Sequence, residues 1–148
     1  MVQPALLTLK RRFPDKLTRL RDGFYDITDK DGKVIPFRMN ADQEKFLAER
    51  HGLDIVLKAR QKGFTTIIQL DMLDDCLFND NIAAGVIAHN LKDAQSFFRD
   101  KIKFAYDRLP AAFRAKIAAE QDAADSLRFS NGSSMRVGTS LRSGTLQR

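Results

Sequence analysis

The chain has 148 residues, one domain's length, and a formal charge of +6 from 25 Lys and Arg against 19 Asp and Glu. A hydrophobic fraction of 43% with a charged fraction of 30% is that of a folded protein and argues against a disordered chain. The longest apolar run, residues 82–88, falls far short of the roughly 20 residues of a membrane span and suits a buried strand.

The excess charge sits early. Over residues 1–21, Lys10, Arg11, Arg12, Lys16, Arg19 and Arg21 face a single acid, Asp15. Leu6, Leu7, Leu9, Phe13, Leu17 and Leu20 fall loosely at helical spacing, interrupted at Pro14. This segment reads either as a basic arm for a polyanion or acidic partner, or as a solvated helix packed on its own domain. Residues 24–28 and 34–37 are predicted strands. Asp31-Gly32 between them is a hairpin signal, because glycine tolerates the positive backbone dihedrals of a tight turn. Asn40 is a cap for a helix predicted over 41–50, with Phe46 and Leu47 on its inner face; Gly52 ends it.

Residues 53–58 (LDIVLK) read as a strand buried in a sheet. A loop with Gly63 leads into a helix predicted over 65–78, a turn at Asn79-Asp80-Asn81, and a buried strand over 83–88. An amphipathic helix spans 91–109 and stops at Pro110. A short helix is expected over 111–119. Strands over 127–129 and 135–137 meet at Asn131-Gly132. This alternation predicts an α/β fold with a mostly parallel sheet flanked by helices. Such sheets bind ligands at the carboxyl ends of their strands, where the loop 58–66 falls. Asp71, Asp74 and Asp75, on the helix after that loop, are expected to form a solvated face.

Cys76 is the single cysteine, and His51 and His89 are the two histidines. That inventory excludes an internal disulfide and supplies poorly a cysteine-rich zinc site, a histidine metal site or a catalytic triad. No signal-peptide pattern follows Met1, and the expected compartment is the reducing cytoplasm.

The loop reads Lys58-Ala59-Arg60-Gln61-Lys62-Gly63-Phe64-Thr65-Thr66. A phosphate loop of the form G-x-x-x-x-G-K-[ST] cradles phosphate oxygens on backbone N–H groups, reaches them with its Lys and ligates Mg²⁺ with its hydroxyl. Aligned on Gly63, Thr65 fills the hydroxyl position, Phe64 stands in the Lys position and Lys58 in the first Gly position. Taken strictly the motif fails. The chemistry survives if a cation enters from elsewhere. Lys58 lies at the strand's end, Arg60 and Lys62 add charge, Gly63 permits close backbone approach, and Thr65 opens a helix whose dipole favours anions. The plainer alternative is a basic surface turn.

LKARQKGFTT after an apolar strand resembles the deviant Walker A of the large terminase subunit of tailed bacteriophages and prophages, in which the lysine sits early in the loop. Residues 36–43 (PFRMNADQ) resemble the family's upstream adenine motif, with Gln43 on the adenine edge and Phe37 against the ring; alone, Gln43 would be an ordinary exposed helix glutamine. Residues 85–89, the helix ending at Pro110, and the stretch from Phe129 through Arg142 to Gln147 resemble the units that precede the family's Walker B strand. The likeness covers about residues 36–147.

The resemblance implies a partial RecA-like P-loop NTPase core over residues 36–148, preceded by a basic arm and hairpin over 1–35. It implies ATP and Mg²⁺ as cofactors. Lys58 would neutralise the β- and γ-phosphates, with Ala59, Arg60, Gln61, Lys62, Gly63, Phe64, Thr65 and Thr66 around them and Thr65 on the metal. Arg142 would act as a finger in a neighbouring subunit, with Arg60 as the cis alternative. The whole protein would be an ATPase that packages double-stranded DNA into procapsids, in a homo-oligomeric ring with the portal protein and the small terminase subunit and without a membrane. Walker B and the nuclease domain would follow Gln147, so this segment alone is expected to be inactive. Two alternatives are an inactive truncated relic and a non-enzymatic basic DNA-binding module. A helicase core shares the adenine-reading Gln but normally keeps the lysine that Phe64 replaces.

Overall fold

The computed structural model describes residues 4–57 and 63–139. Helix α1 (Pro4–Arg12) starts on proline, whose fixed φ suits a first turn, and ends on three cations that suit its negative pole. Asp15 caps α2 (Lys16–Arg21), its carboxylate accepting from the Thr18 N–H at 2.8 Å. Strands β1 (Asp26–Thr28) and β2 (Val34–Pro36) form the expected hairpin, and the Asp29 side chain accepts from the N–H groups of Asp31 and Lys33 across its turn.

Asn40 caps α3 (Ala41–Glu49) through a reciprocal capping box with Gln43. Helix α4 (Phe64–Phe78) carries apolar side chains round most of its girth and is the central rod of the fold: Ile67, Leu70, Leu73 and Leu77 are all buried. Then come β3 (Ala83–Ala88), α5 (Leu91–Phe97), a π-helical stretch (Phe98–Lys103), α6 (Phe104–Asp107), α7 (Ala111–Lys116), β4 (Ala119–Asp122), β5 (Ser126–Phe129) and β6 (Ser134–Thr139). The helix predicted over 91–109 is therefore one rod widened by a π turn in its middle.

The sheet is four-stranded, in the order β3-β6-β5-β4. Only β3 and β6 are parallel, from Ala83 opposite Ser134 to Ala88 opposite Thr139; the β5–β6 and β4–β5 pairs are antiparallel. The fold is α/β, but the sheet is mixed rather than mostly parallel, because β4, β5 and β6 follow one another through short turns that force antiparallel pairing. Helices α4 and α5 lie against β3 and β6, over buried Met135 and Val137. The opposite face carries Ala83, Gly85, Ile87, Arg128 and Arg136, all exposed.

The strand expected over 83–88 forms but is not buried: at the end of the strand order, its side chains alternate between exposed and half-buried. Two further predicted elements differ. Residues 53–57 are not a strand: Leu53, Ile55 and Leu57 are 99%, 91% and 94% exposed. A strand needs a ladder partner, and none of the described strands pairs with this segment. Asp54 instead accepts from the His51 and Gly52 N–H groups, a local side-chain bond that competes with extended pairing. The helix expected over 111–119 stops at Lys116, and Ala119 opens β4 on the sheet's edge.

The expected solvated acidic face is also overturned. Asp71 and Asp74 are only 5% and 1% exposed. Arg19 grips Asp74 with two hydrogen bonds, Nε at 2.7 Å and Nη2 at 2.8 Å, and the Tyr25 hydroxyl donates to the same carboxylate at 2.7 Å. The Arg19 guanidinium also lies 3.6 Å from the centroid of the Phe78 ring. Lys16 pairs with Asp71 at 2.6 Å and Asp75 at 2.8 Å, and Arg50 pairs with Asp71. The N-terminal cations thus meet acids more than fifty residues away in the chain. Burial first, then the Asp74 carboxylate, pushes the Tyr25 phenol well above its ordinary pKa, so it stays a neutral donor.

The turn before β6 is fastened to the end of α4. Asn131 Nδ2 donates to the carbonyls of Cys76 and Asn79, and Ser133 Oγ donates to Asn79 O at 2.7 Å while accepting from Ile82 N–H at 3.1 Å. Cys76 is fully buried, its thiol facing the Ser134 carbonyl at 3.5 Å, and burial pushes its pKa up to about 11. Iodoacetamide at about pH 8.5, where a free thiol is half ionised, is therefore expected to spare the native protein and to alkylate Cys76 in urea. Mass spectrometry checks this; rapid native labelling would contradict the burial. Among the described residues, no helix is long and apolar enough to cross a membrane.

Candidate functional site

The site builds outward from Gly63. Its φ of +71° is left-handed, a conformation that glycine adopts without strain, and it stands at the N-cap of α4. Among the described residues no side chain caps α4, and the Gly63 carbonyl accepts the first helical bond, from Ile67 N–H at 3.1 Å. The N–H groups ahead of that bond carry the helix's partial positive charge, the arrangement that binds anions in phosphate loops. Thr65 is exposed and Thr66 half-buried in this first turn.

Gln43 reaches the same point from α3. Its Nε2 donates to the Gly63 carbonyl at 2.9 Å, and its Oε1 accepts from Asn40 N–H at 2.9 Å. Gln43 is only 3% exposed, so its amide is spent on protein backbone at both ends. A Cβ added at Gly63 would lie 2.7 Å from Gln43 Nε2, so glycine is required both by its dihedral and by this contact.

Phe64, in the place of the usual lysine, meets Phe46 edge to face, with centroids 5.7 Å apart and planes at 79°. The two rings line a cleft of about 500 Å³ between α3, residues 54–57 and the start of α4. Ile55, Val56 and Leu57 extend its apolar wall, and Asp42, Glu49, Asp54, Lys45 and Arg50 stand at its edges. Among the described lining residues three carboxylates stand against two cations, and Arg50 is engaged by Asp71. Among the described residues, the positive potential nearest this cleft is that of the α4 N-terminus.

Of the residues expected at the site, Gln43, Gly63, Phe64, Thr65 and Thr66 come together. Phe37 does not line the cleft; it is 4% exposed in the hydrophobic core, with its N–H donating to Tyr25 O at 2.7 Å. Lys58, Ala59, Arg60, Gln61, Lys62 and Arg142 lie outside the described residues. The sequence places Phe46 only on the inner face of its helix; its position three residues after Gln43 is the signal that both share one face. Among the described residues, no group of three or more His, Cys, Asp or Glu could hold a metal ion. The chain matches no protein-family model and no curated protein.

Proposed function

We propose that this chain carries the ATP-binding part of a DNA-packaging motor of the terminase large-subunit type. One observation supports the reading most: a left-handed Gly63 opens a helix of 15 residues beside a cleft walled by Phe46 and Phe64. A glycine turn feeding a helix N-terminus suits polyphosphate, and an aromatic-walled cleft suits a base. On this reading the ligand is Mg-ATP. Backbone N–H groups from Gly63 onward would face phosphate oxygens, Lys58 would supply the ammonium charge that Phe64 cannot, and the exposed Thr65 hydroxyl would reach the metal. Bound Mg²⁺ would neutralise phosphate charge. In the full assembly the reading calls for a RecA-like core, a subunit ring with Arg142 acting on a neighbour's nucleotide, double-stranded DNA held through its phosphates, and the portal and small terminase subunit as partners.

Calorimetric titration with Mg-ATP tests this. Wild type should bind saturably, and Lys58→Ala should weaken binding by roughly 10- to 100-fold, the worth of one charge-assisted contact. Absence of saturable binding, or an unchanged affinity in Lys58→Ala, would sink the reading. A second reading, a basic DNA-binding module, draws on Lys10, Arg11 and Arg12, exposed together at the end of α1. It is weakened by Lys16 and Arg19, whose charges are taken up by Asp71, Asp74 and Asp75. Salt-sensitive DNA binding without ATP binding would favour it.

A further inference from the structure

We propose that Gln43 is a positioning residue, which acts on the proposed nucleotide site through the Gly63 carbonyl and not through the base. The inference rests on the nucleotide reading above and deepens it. The geometry is a closed chain of hydrogen bonds. Asn40 Oδ1 accepts from Gln43 N–H and Gln43 Oε1 accepts from Asn40 N–H, both at 2.9 Å, which fixes the Gln43 side chain against the start of α3. The remaining end of the amide then spans twenty residues of sequence to donate to Gly63 O at 2.9 Å.

That carbonyl decides where the loop's donors point. A trans peptide is planar, with its C=O and N–H on opposite sides. Holding the Gly63 oxygen inward, between Gln43 Nε2 and Ile67 N–H, therefore aims the Phe64 N–H outward from the helix start, toward the place an anion would take. With Gln43 only 3% exposed, turning its amide toward a base would break the capping box and the Gly63 bond together. A side chain held this way sets the orientation of the phosphate donors, and its loss should be felt equally by every ligand that carries the same phosphates.

The test compares Mg-ATP, Mg-GTP and Mg-tripolyphosphate binding to wild type, Gln43→Met and Asn40→Ala, with folding checked by circular dichroism. Gln43→Met is neutral and similar in length, so it adds no charge near the phosphates. Asn40→Ala removes the helix cap but leaves the Gly63 bond. Gln43→Met should weaken all three ligands by a similar factor, about fivefold. Asn40→Ala should leave them within about twofold. Weakening of Mg-ATP alone would overturn the proposal and make Gln43 a base reader; no change, or equal weakening in Asn40→Ala, would overturn it too.

Hydrogen exchange of the ligand-free protein separates this claim from the nucleotide reading. Faster exchange of the Ile67 amide in Gln43→Met than in Asn40→Ala supports the positioning role, and equal rates overturn it. If wild type binds none of the three ligands while the exchange rates differ, the nucleotide reading fails and the positioning of α4 stands.

Discussion

Asp74→Ala is expected to destabilise the protein by about 3–5 kcal/mol, enough to unfold a marginal domain. The size follows from burial. Arg19 is 7% exposed and Asp74 1%, so deleting the carboxylate leaves a guanidinium inside the protein without its counter-charge and strands the Tyr25 hydroxyl. The exposed Arg99–Asp100 pair has similar geometry at 2.8 Å but stands in water, where such pairs contribute about 1 kcal/mol or less. Urea denaturation of Asp74→Ala beside Asp100→Ala measures the contrast; comparable losses would mean that the Asp74 carboxylate is solvated. The pair is not itself a large net stabiliser, because dehydrating both ions offsets most of their attraction. Replacing the whole cluster, as Arg19→Met with Tyr25→Phe and Asp74→Leu, should therefore recover most of what Asp74→Ala loses, because no buried polar group is then left unpaired.

Gly132→Ala is the second large effect, about 1–3 kcal/mol, and arises from shape rather than charge. Gly132 has a φ of +81°, and a Cβ built there would overlap Asn81 Oδ1. The obstructing atom is the tip of an exposed side chain, so Asn81 relieves part of the contact by turning its amide away, at the cost of its present rotamer. The clash and the dihedral can be separated. In an Asn81→Gly background the obstructing side chain is gone, and Gly132→Ala should then cost only about 1 kcal/mol for its left-handed backbone. Thermal unfolding of the two single variants and the double variant reads this directly. Strict additivity would show that the two turns do not press on each other.

The same two regions show what a linear reading reaches. Asn131-Gly132 was legible as a turn because glycine is needed by that turn's own dihedrals. That its neighbour is Asn81, fifty residues earlier, was not legible. Asp71 and Asp74 looked like a wet face because acids on a helix usually are. Their partners Lys16, Arg19 and Arg50 come from elements that only packing brings near, and the partition of those cations between solvent and α4 is a property of the assembled core.

At the candidate site the split is similar. Gly63 could be placed from its position between an apolar segment and a helix. The capping box was half visible, since Asn40 stood where a cap belongs. The use of Gln43's amide was hidden, because its partner lies twenty residues on and any exposed face would have accepted a glutamine. Phe37 was expected beside a base and lies in the core, since an aromatic after a short strand serves burial as readily as stacking. Residues 53–57 are the clearest case: β-branched and leucine side chains state a preference for extended backbone, but a preference becomes a strand only when another strand supplies its hydrogen bonds.

The amino-acid order alone therefore determined what is local: the helices over α3, α4 and the long rod through α5, the hairpin at Asp31-Gly32, the strand β3, and the glycine that starts α4. Each of these is encoded by caps, turns or periodicity within about a dozen residues. Tertiary structure alone decided the antiparallel pairing that makes the sheet mixed, the burial of Asp71 and Asp74, and the engagement of Gln43 with Gly63. Those outcomes depend on which distant groups share the same desolvated space, and in such space an unpaired donor or charge costs more than any local preference contributes.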